Sequence, residues 1–223
     1  MTDPDRMRDD QATSLRLAEL LATRISHDLA GMSGSLVGTL ELISEDASAA
    51  AEALPLAIET AQGLARRLRL LRAAWGPPGA PMGLGDLQGL ATGLSLGRRM
   101  RLHLLDLEDV AYPAPAARLL LNLMMLAVES LAGEGEAALA GGPEQGVLVT
   151  IVGPRAAWPT GFAGLLADPS SAWSAFAAPR TLLAPLTVLI AASSGLGLSL
   201  LLAGGPAAAA EPPPLLMRPF AAA

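Results

Sequence analysis

The chain has 223 residues and a formal net charge of −6, and 52% of its residues are hydrophobic but only 3% are aromatic. This length allows one large domain or two small ones with an aliphatic core, and the negative charge argues against nonspecific nucleic-acid binding. The absence of cysteine excludes disulfides, thiolate metal sites and a cysteine nucleophile, and the two histidines, His27 and His103, lie 76 positions apart, which argues against a metal site.

The N-terminal segment is polar and charged. Residues 1–13 lack the apolar core of a secretory signal, so we expect a flexible N-terminus and a cytoplasmic protein. The first helix is predicted to begin near Ser14, in a Thr- and Ser-rich sequence suited to capping, and to end near Glu45. Together with a second helix it forms the first predicted domain, residues 14–76.

One side of the first helix is an apolar stripe. At about 100° per residue, all its members lie within about 60° of Ile25; they are Leu21, Leu29, Met32, Leu36, Leu40 and Ile43. His27 lies about 160° from Ile25, on the opposite side. We call its small neighbours there the glycine face: Thr23, Ala30, Gly31, Gly34 and Gly38. A glycine inside a helix costs up to about 1 kcal/mol, so this face indicates a partner that approaches His27 closely. The alternative is an incidental surface histidine.

The second helix is predicted to end near Trp75. Its apolar residues recur at steps of four and three, a heptad-like pattern typical of helices packed nearly parallel; they are Ala57, Ala61, Leu64, Leu68, Leu71 and Trp75. Two helices cannot bury such faces alone, so we expect two hairpins to form a four-helix bundle in a homodimer. The arginines of this helix are either a solvated face or a docking surface for an acidic partner; they are Arg66, Arg67, Arg69 and Arg72.

A Pro- and Gly-rich linker, residues 77–83, precedes a second predicted domain, residues 84–223. Helices are predicted at 84–96, 115–131 and 181–192. Strands are predicted at 100–107, 136–140, 147–152, 196–202 and 215–220. This order indicates helices packed on one face of a mixed sheet, an α+β layer domain. His103, on the first strand, is interpreted as a surface or edge residue without a role.

Residues 181–210 carry no charge, and this run is long enough for a membrane span to be considered. Pro185 and the break at residues 193–195 divide it, however, and no arginine cluster flanks it. A buried helix followed by a strand is therefore preferred to a membrane span.

The sequence His27-Asp28-Leu29, on the first helix of a hairpin, resembles the H-box of two-component histidine kinases, whose histidine carries the phosphoryl group. The ATP-binding motifs of such kinases are incomplete in the second domain. The run NLMMLA, residues 122–127, keeps the frame of the kinase N-box but has Leu126 at the metal-binding position. Residues 153–157, GPRAA, lack the aspartate that reads adenine, and Gly195-Leu196-Gly197 follows a helix instead of opening one.

An H-box combined with a nucleotide domain that lacks its motifs is the pattern of ChpT-type histidine phosphotransferases. Residues 21–29, LATRISHDL, are similar to that family's L-x-x-R-x-x-H-D start, and residues 70–76 and 119–131 resemble two further segments. The resemblance implies an α+β fold. A helical hairpin that forms a four-helix bundle on dimerisation would precede a sandwich domain resembling a degenerate histidine-kinase ATPase, or Bergerat-like, domain.

The resemblance also implies a phosphorelay. A hybrid sensor kinase's receiver domain would phosphorylate His27, which would pass the group to the aspartate of a response regulator, a CtrA-type cell-cycle regulator. No cofactor is expected in this chain, neither ATP nor a metal, because the partner receiver would hold the Mg²⁺. Imidazole suits this chemistry, since its reference pKa of about 6.5 leaves it largely neutral and nucleophilic.

Other residues receive roles from the same resemblance. Asp28 would accept a hydrogen bond from Nδ1–H of His27 and so orient the imidazole. Arg24, one turn earlier, would contact the phosphoryl group or the receiver, unless it is simply an exposed helix arginine. The glycine face would admit the receiver's helix, with Arg66 and Arg69 as further partner contacts. The alternatives are a noncatalytic dimeric adaptor and a divergent ATP-dependent histidine kinase.

Overall fold

Two long helices at the N-terminus, α1 (Pro4–Glu45) and α2 (Ala50–Trp75), pack against each other as a hairpin. This computed structural model describes residues 4–45, 48, 50–202 and 211–221. The predicted ends of both helices are confirmed, but the predicted start of α1 near Ser14 is wrong, because the helix already begins at Pro4. Polarity does not prevent helix formation: proline suits the first helical position, and arginine, methionine and glutamine are good helix formers.

The apolar faces of the hairpin are only partly covered. The half of the stripe nearest the N-terminus, with Leu21 and Ile25, packs against the main core. In α2, Ala57 and Leu71 are buried, whereas Leu68 of the predicted heptad-like pattern is not. The half of the hairpin near its turn exposes large apolar side chains, each about half accessible; they are Val37, Leu40, Leu42, Leu54, Leu56 and Ile58. We call this surface the apolar tip.

A five-stranded mixed sheet follows, in the order β1-β2-β3-β5-β4. Its strands are β1 (Met100–Leu107), β2 (Gly135–Gly142), β3 (Gly146–Val152), β4 (Leu198–Leu200) and β5 (Leu215–Met217). β1 and β2 are parallel, and the other neighbours are antiparallel. The prediction of β1 is confirmed at both ends, whereas β4 and β5 are shorter than predicted.

The helices of this domain are α3 (Leu84–Ala91), α4 (Ala114–Ser130), α5 (Phe162–Ala167) and α6 (Leu183–Ser193). α4 packs on β1, β2 and β3, α5 contacts β4, and α3 and α6 pack against α4. Alternate residues of β3 (Val147, Val149 and Ile151) are buried beneath them, which confirms the predicted α+β layer. α5 and two 3₁₀ turns, Pro169–Trp173 and Pro179–Thr181, were not predicted, because such short segments carry no periodic signal.

The uncharged run near the C-terminus forms a helix followed by a strand, α6 and then β4, as preferred from the sequence. Residues 203–210 of this run lie outside the described residues. In the part of the chain that the structure describes, no helix combines the length and apolar character that crossing a bilayer requires.

α4 is attached to the end of α2 by a buried amide, that of Asn122. The Nδ2 atom of Asn122 donates to the carbonyl oxygens of Ala74, at 3.0 Å, and Arg118, at 2.9 Å. Its Oδ1 atom accepts from Nε1 of Trp75 at 3.0 Å, and Nε of Arg118 reaches the same Ala74 carbonyl at 3.1 Å. These bonds satisfy a carbonyl in the last turn of α2, which has no partner within its own helix. They therefore fix the hairpin against α4.

Replacing Asn122 by leucine should lower the free energy of unfolding by about 2 kcal/mol or more, because the Ala74 carbonyl and the Trp75 indole each lose a partner. Urea unfolding followed by tryptophan fluorescence measures this change. Gln62→Leu removes an exposed amide from α2 and should change the stability by less than about 0.5 kcal/mol. Equal effects of the two variants would contradict a structural role of Asn122.

Candidate functional site

His27 lies on the outer surface of α1, and 80% of its side chain is exposed. This is the position that the apolar stripe predicts, opposite the packed side of the helix. Asp28 lies beside it, with 3.9 Å between Nδ1 of His27 and Oδ1 of Asp28. No hydrogen bond engages the imidazole within the described ranges, so both ring nitrogens are accessible for reaction.

A cleft of about 430 Å³ opens beside His27. α1 forms one wall, and residues 178–180, from the turn before α6, form the other. Thr23 lies on the α1 wall, where its hydroxyl donates to the carbonyl oxygen of Glu19 at 2.7 Å. The candidate site therefore combines residues of the first helix with residues of the second domain.

Asp28 and Arg24 belong to a four-residue ion cluster behind the histidine, together with Arg67 of α2 and Glu129 of α4. Asp28 accepts from Nε of Arg24 at 3.2 Å with one oxygen and from Arg67 with the other. Arg24 also donates to Glu129, and its Nη1 donates to the carbonyl oxygen of Pro179 at 3.2 Å. The cluster thus joins α1 to α2, to α4 and to the turn before α6.

Three of the four members of the ion cluster are largely withdrawn from water, and the fourth, Glu129, is 36% exposed. The side chains of Arg67, Asp28 and Arg24 are 10%, 14% and 18% exposed. Burial lowers the pKa of Arg24, but the carboxylates of Glu129 and Asp28 more than offset it, so this pKa lies above its ordinary value. Arg24 therefore keeps its charge at any physiological pH.

Asp28 and Arg24 make contacts within the chain that differ from those expected from the sequence, and their predicted roles in transfer stay predictions. A distance of 3.9 Å is too long for the expected hydrogen bond from His27 to Asp28, and both oxygens of Asp28 are engaged by arginines. The guanidinium of Arg24 is likewise occupied by two carboxylates and a carbonyl. In this structure both residues hold the helix that carries the histidine, and neither forms a hydrogen bond with the imidazole.

Arg67 was predicted only as one of four arginines on a solvated face or docking surface, which its burial contradicts, and Glu129 received no prediction, although the sequence contains a signal for each. Arg67 shares a helix face with the buried Leu70, Leu71 and Ala74, three, four and seven positions later, so its burial could have been read from the helical period. Glu129 is the single acidic residue of α4. What the sequence could not provide is their pairing, which spans 39 positions for Arg67–Asp28 and 105 for Arg24–Glu129.

The glycine face is open. A methyl group added at Gly31, Gly34 or Gly38 would meet no atom within 4 Å, and Ala30 is exposed beside them. These glycines are therefore not required by packing within the described residues. The space available above them could accept another helix.

The arginines predicted as partner contacts lie elsewhere. Arg66 and Arg69 line a separate groove of about 590 Å³ between α2 and α3, together with Met82 and Leu90. They do not line the cleft at His27. The structure therefore divides the predicted partner contacts between two surfaces.

The segments that resemble nucleotide motifs have structural roles here. Leu126, at the metal position of the kinase N-box frame, is only 1% exposed within the core, and Asn122 is bonded to the end of α2. Gly195 follows the end of α6 with a φ of +67°, a left-handed conformation that glycine adopts without strain. The side chains of Leu126 and Asn122 are thus engaged within the fold.

A family model and one solved structure agree with this architecture. Residues 84–205 match the family model of the histidine phosphotransferase C-terminal domain. A solved structure described as a bacterial phosphotransferase at 1.7 Å has a TM-score of 0.65 and 23% identity, covering 91% of this chain and 95% of that chain. The histidine kinase domain of the blue-light activated kinase EL346 from Erythrobacter litoralis has a TM-score of 0.38 and 16% identity, covering 87% and 91%.

A search of curated proteins gives no significant match. The bacterial phosphotransferase shows that the whole fold, hairpin and sheet together, occurs in another protein. The match of the family model extends over more than half of the chain and confirms the resemblance to ChpT-type proteins that the first helix indicated. The chain therefore belongs to the histidine phosphotransferase family.

Proposed function

We propose that the chain is a phosphorelay intermediate in which His27 accepts the phosphoryl group of a receiver domain's phosphoaspartate and passes it to the aspartate of a second receiver. The observation that carries this proposal is the state of His27, which is 80% exposed, is free of hydrogen bonds in the described structure and lies beside an open cleft. A histidine packed for structural reasons would have partners. Transfer of labelled phosphoryl to the wild type, and its loss in His27→Ala, tests the proposal.

The transfer reaction requires little of this chain beyond holding the imidazole of His27 where a receiver can reach it. The neutral imidazole attacks phosphorus in line, so that a nitrogen–phosphorus bond forms while the bond to the aspartyl oxygen breaks and the carboxylate leaves as an anion. The second transfer reverses these steps on another receiver. Because charge in the transition state is spread over the three equatorial oxygens, positioning and electrostatic stabilisation provide most of the catalysis.

The ion cluster supplies the positioning. It fixes α1 against α2, α4 and the turn before α6 through charged contacts around Arg24 and Asp28. Charge-assisted hydrogen bonds of this kind are about twice as strong as neutral ones. The histidine next to Asp28 is thereby held at one place on the surface, and its own side chain remains free to react.

We propose that the chain does not use ATP. Leu126 occupies the metal position of the N-box frame inside the core. Gly195 follows the end of α6, whereas the glycine-rich loop of a kinase precedes a helix. Phosphoryl groups must then come from another protein, and Mg²⁺ from the receiver. The resemblance to ChpT-type proteins suggests the receiver of a hybrid sensor kinase as donor and a CtrA-type response regulator as acceptor.

We further propose a homodimer formed by the apolar tip of the hairpin. Six large apolar side chains are about half exposed there, and a second hairpin would cover them in a four-helix bundle. On α1 the tip begins at Val37, ten positions after His27, or about 15 Å along a helix, so dimerisation would leave the cleft at His27 open to a receiver.

The glycine face provides a test of receiver docking. Gly31→Leu should leave stability unchanged or raise it by up to about 1 kcal/mol, because leucine is the better helix former and the added side chain has free space. It should nevertheless reduce transfer from a phosphorylated receiver at least tenfold, because it fills the space into which the receiver would settle. Single-turnover transfer rates and urea unfolding measure the two effects.

Gly164→Leu is the matched control for this variant. Gly164 lies in α5, is exposed, and has equally free space around it, but it is not on the glycine face. This variant should transfer phosphoryl at the wild-type rate. A wild-type rate for Gly31→Leu as well would show that no partner packs on this face.

A further inference from the structure

The wall of the cleft opposite α1 carries one charged residue, Arg180. It lies in the 3₁₀ turn Pro179–Thr181, between the irregular segment after α5 and the start of α6. Arg180 received no role from the sequence, because 153 positions separate it from His27 in the chain. The fold places both residues on the same cleft.

The backbone around Arg180 is held by α1 itself. Nη1 of Arg24 donates to the carbonyl oxygen of Pro179 at 3.2 Å, and Nη2 of Arg16 donates to that of Ala177 at 3.0 Å. Two side chains from the helix that carries His27 thus bind the residues on either side of Ala178. The position of the Arg180 backbone is therefore fixed relative to the histidine.

Arg180 differs from the other charged groups that line the cleft. Arg24 is neutralised by Asp28 and Glu129, and Asp28 by Arg24 and Arg67. Arg180 is exposed, and no hydrogen bond or ion pair engages its guanidinium within residues 4–45, 48, 50–202 and 211–221. Its charge is thus available to a molecule that enters the cleft.

A phosphorylated receiver would bring two kinds of anionic oxygen to this position. The phosphoryl group has its own oxygens, and the receiver contributes carboxylates around the phosphorylated aspartate. A guanidinium binds either kind with two parallel hydrogen bonds. Arginine also stabilises the negative charge on phosphoryl oxygens during transfer.

We infer that Arg180 contacts the anionic oxygens of the incoming phosphoaspartate site during transfer to and from His27. This inference rests on the proposed function, since it names a partner of the same cleft. Arg180 then supplies the positive charge that the sequence suggested for Arg24. The hairpin provides the nucleophile, and the C-terminal domain provides the cation that faces it.

The test compares Arg180→Gln and Arg180→Lys with Arg101→Gln, using a receiver domain that labels the wild type. Arg101 is an exposed arginine on β1 that does not line the cleft, so its variant removes the same charge elsewhere. We expect Arg180→Gln to reduce the transfer rate at least tenfold and to weaken its dependence on salt. Arg180→Lys should recover part of the rate, and Arg101→Gln should match the wild type.

Phosphoramidate, a small donor without carboxylates, distinguishes the two sources of anionic oxygen. If Arg180→Gln accepts phosphoryl more slowly from both donors, Arg180 contacts the phosphoryl oxygens. If it is slower with the receiver alone, Arg180 contacts the receiver's carboxylates. Rates for Arg180→Gln within twofold of the wild type with both donors, while His27→Ala remains unlabelled, would overturn the inference and leave the proposed function intact. Labelling of His27→Ala would instead overturn the proposed function.

Discussion

Replacing His27 by alanine is expected to reduce phosphoryl acceptance at least a thousandfold, to the background of the assay, without affecting the fold. The imidazole is the group that forms the bond to phosphorus, and alanine has no nucleophile. Because 80% of the side chain is exposed, its removal leaves no cavity and no unsatisfied group. The free energy of unfolding should therefore change by less than about 0.5 kcal/mol.

The measurement follows labelled phosphoryl from phosphorylated receivers to the chain. His103→Ala is the matched control, since His103 is also a partly exposed histidine, on β1, and its Nε2 atom lies 3.5 Å from a carboxylate oxygen of Glu136. This control should accept label like the wild type. If neither the wild type nor the control accepted label from any receiver, the chain would be an adaptor. Labelling of the wild type by ATP and Mg²⁺ alone would identify a kinase.

Breaking the ion cluster should have the largest effect on stability. Asp28→Leu leaves Arg67 without its carboxylate, although the Arg67 side chain is only 10% exposed. Removing one partner of a buried ion pair costs about 3–5 kcal/mol, because the remaining charge is buried without compensation. The double variant Asp28→Leu/Arg67→Met should recover much of this loss, because it removes both charges and fills the same space with apolar side chains.

Urea unfolding of the wild type, both single variants and the double variant forms a double-mutant cycle that isolates the coupling between Asp28 and Arg67. Glu19→Gln is the control, since the Arg16–Glu19 pair is about half exposed with 3.7 Å between its charged atoms. An exposed pair of this kind contributes about 0–1 kcal/mol. Additive effects of the two single variants would contradict a specific pairing of Asp28 with Arg67.

Features that repeat along the chain could be predicted from the sequence. The apolar stripe placed His27 on the exposed side of α1, and alternating residues placed β1 between Met100 and Leu107. Local patterns are reliable here because the burial of each side chain follows from its phase on a helix or a strand. The prediction of where α1 begins failed for a related reason, because a polar segment has no periodic pattern of apolar residues to mark the start of its helix.

The contacts that complete the site could not be predicted in this way. Arg24, Asp28, Arg67 and Glu129 come from three helices, and nothing local indicates that they meet. The position of Asp28 next to His27 suggested a hydrogen bond between the two. In the structure both oxygens of Asp28 are bound by arginines instead. Adjacency in sequence therefore does not predict the contacts of a charged side chain when helices distant in sequence provide stronger partners.

The two attachments of α4 have a consequence for the accessibility of His27 during the transfer cycle. Asn122 binds this helix to the end of α2, and Glu129, two turns later, binds it to Arg24 of α1. Because the C-terminal domain is fastened at two points to both hairpin helices, we expect it not to swing across His27. We therefore expect the histidine to be equally accessible before and after it is phosphorylated. The direction of phosphoryl flow would then be decided by the abundance and phosphorylation of the competing receivers, with no open and closed states of this chain to gate it.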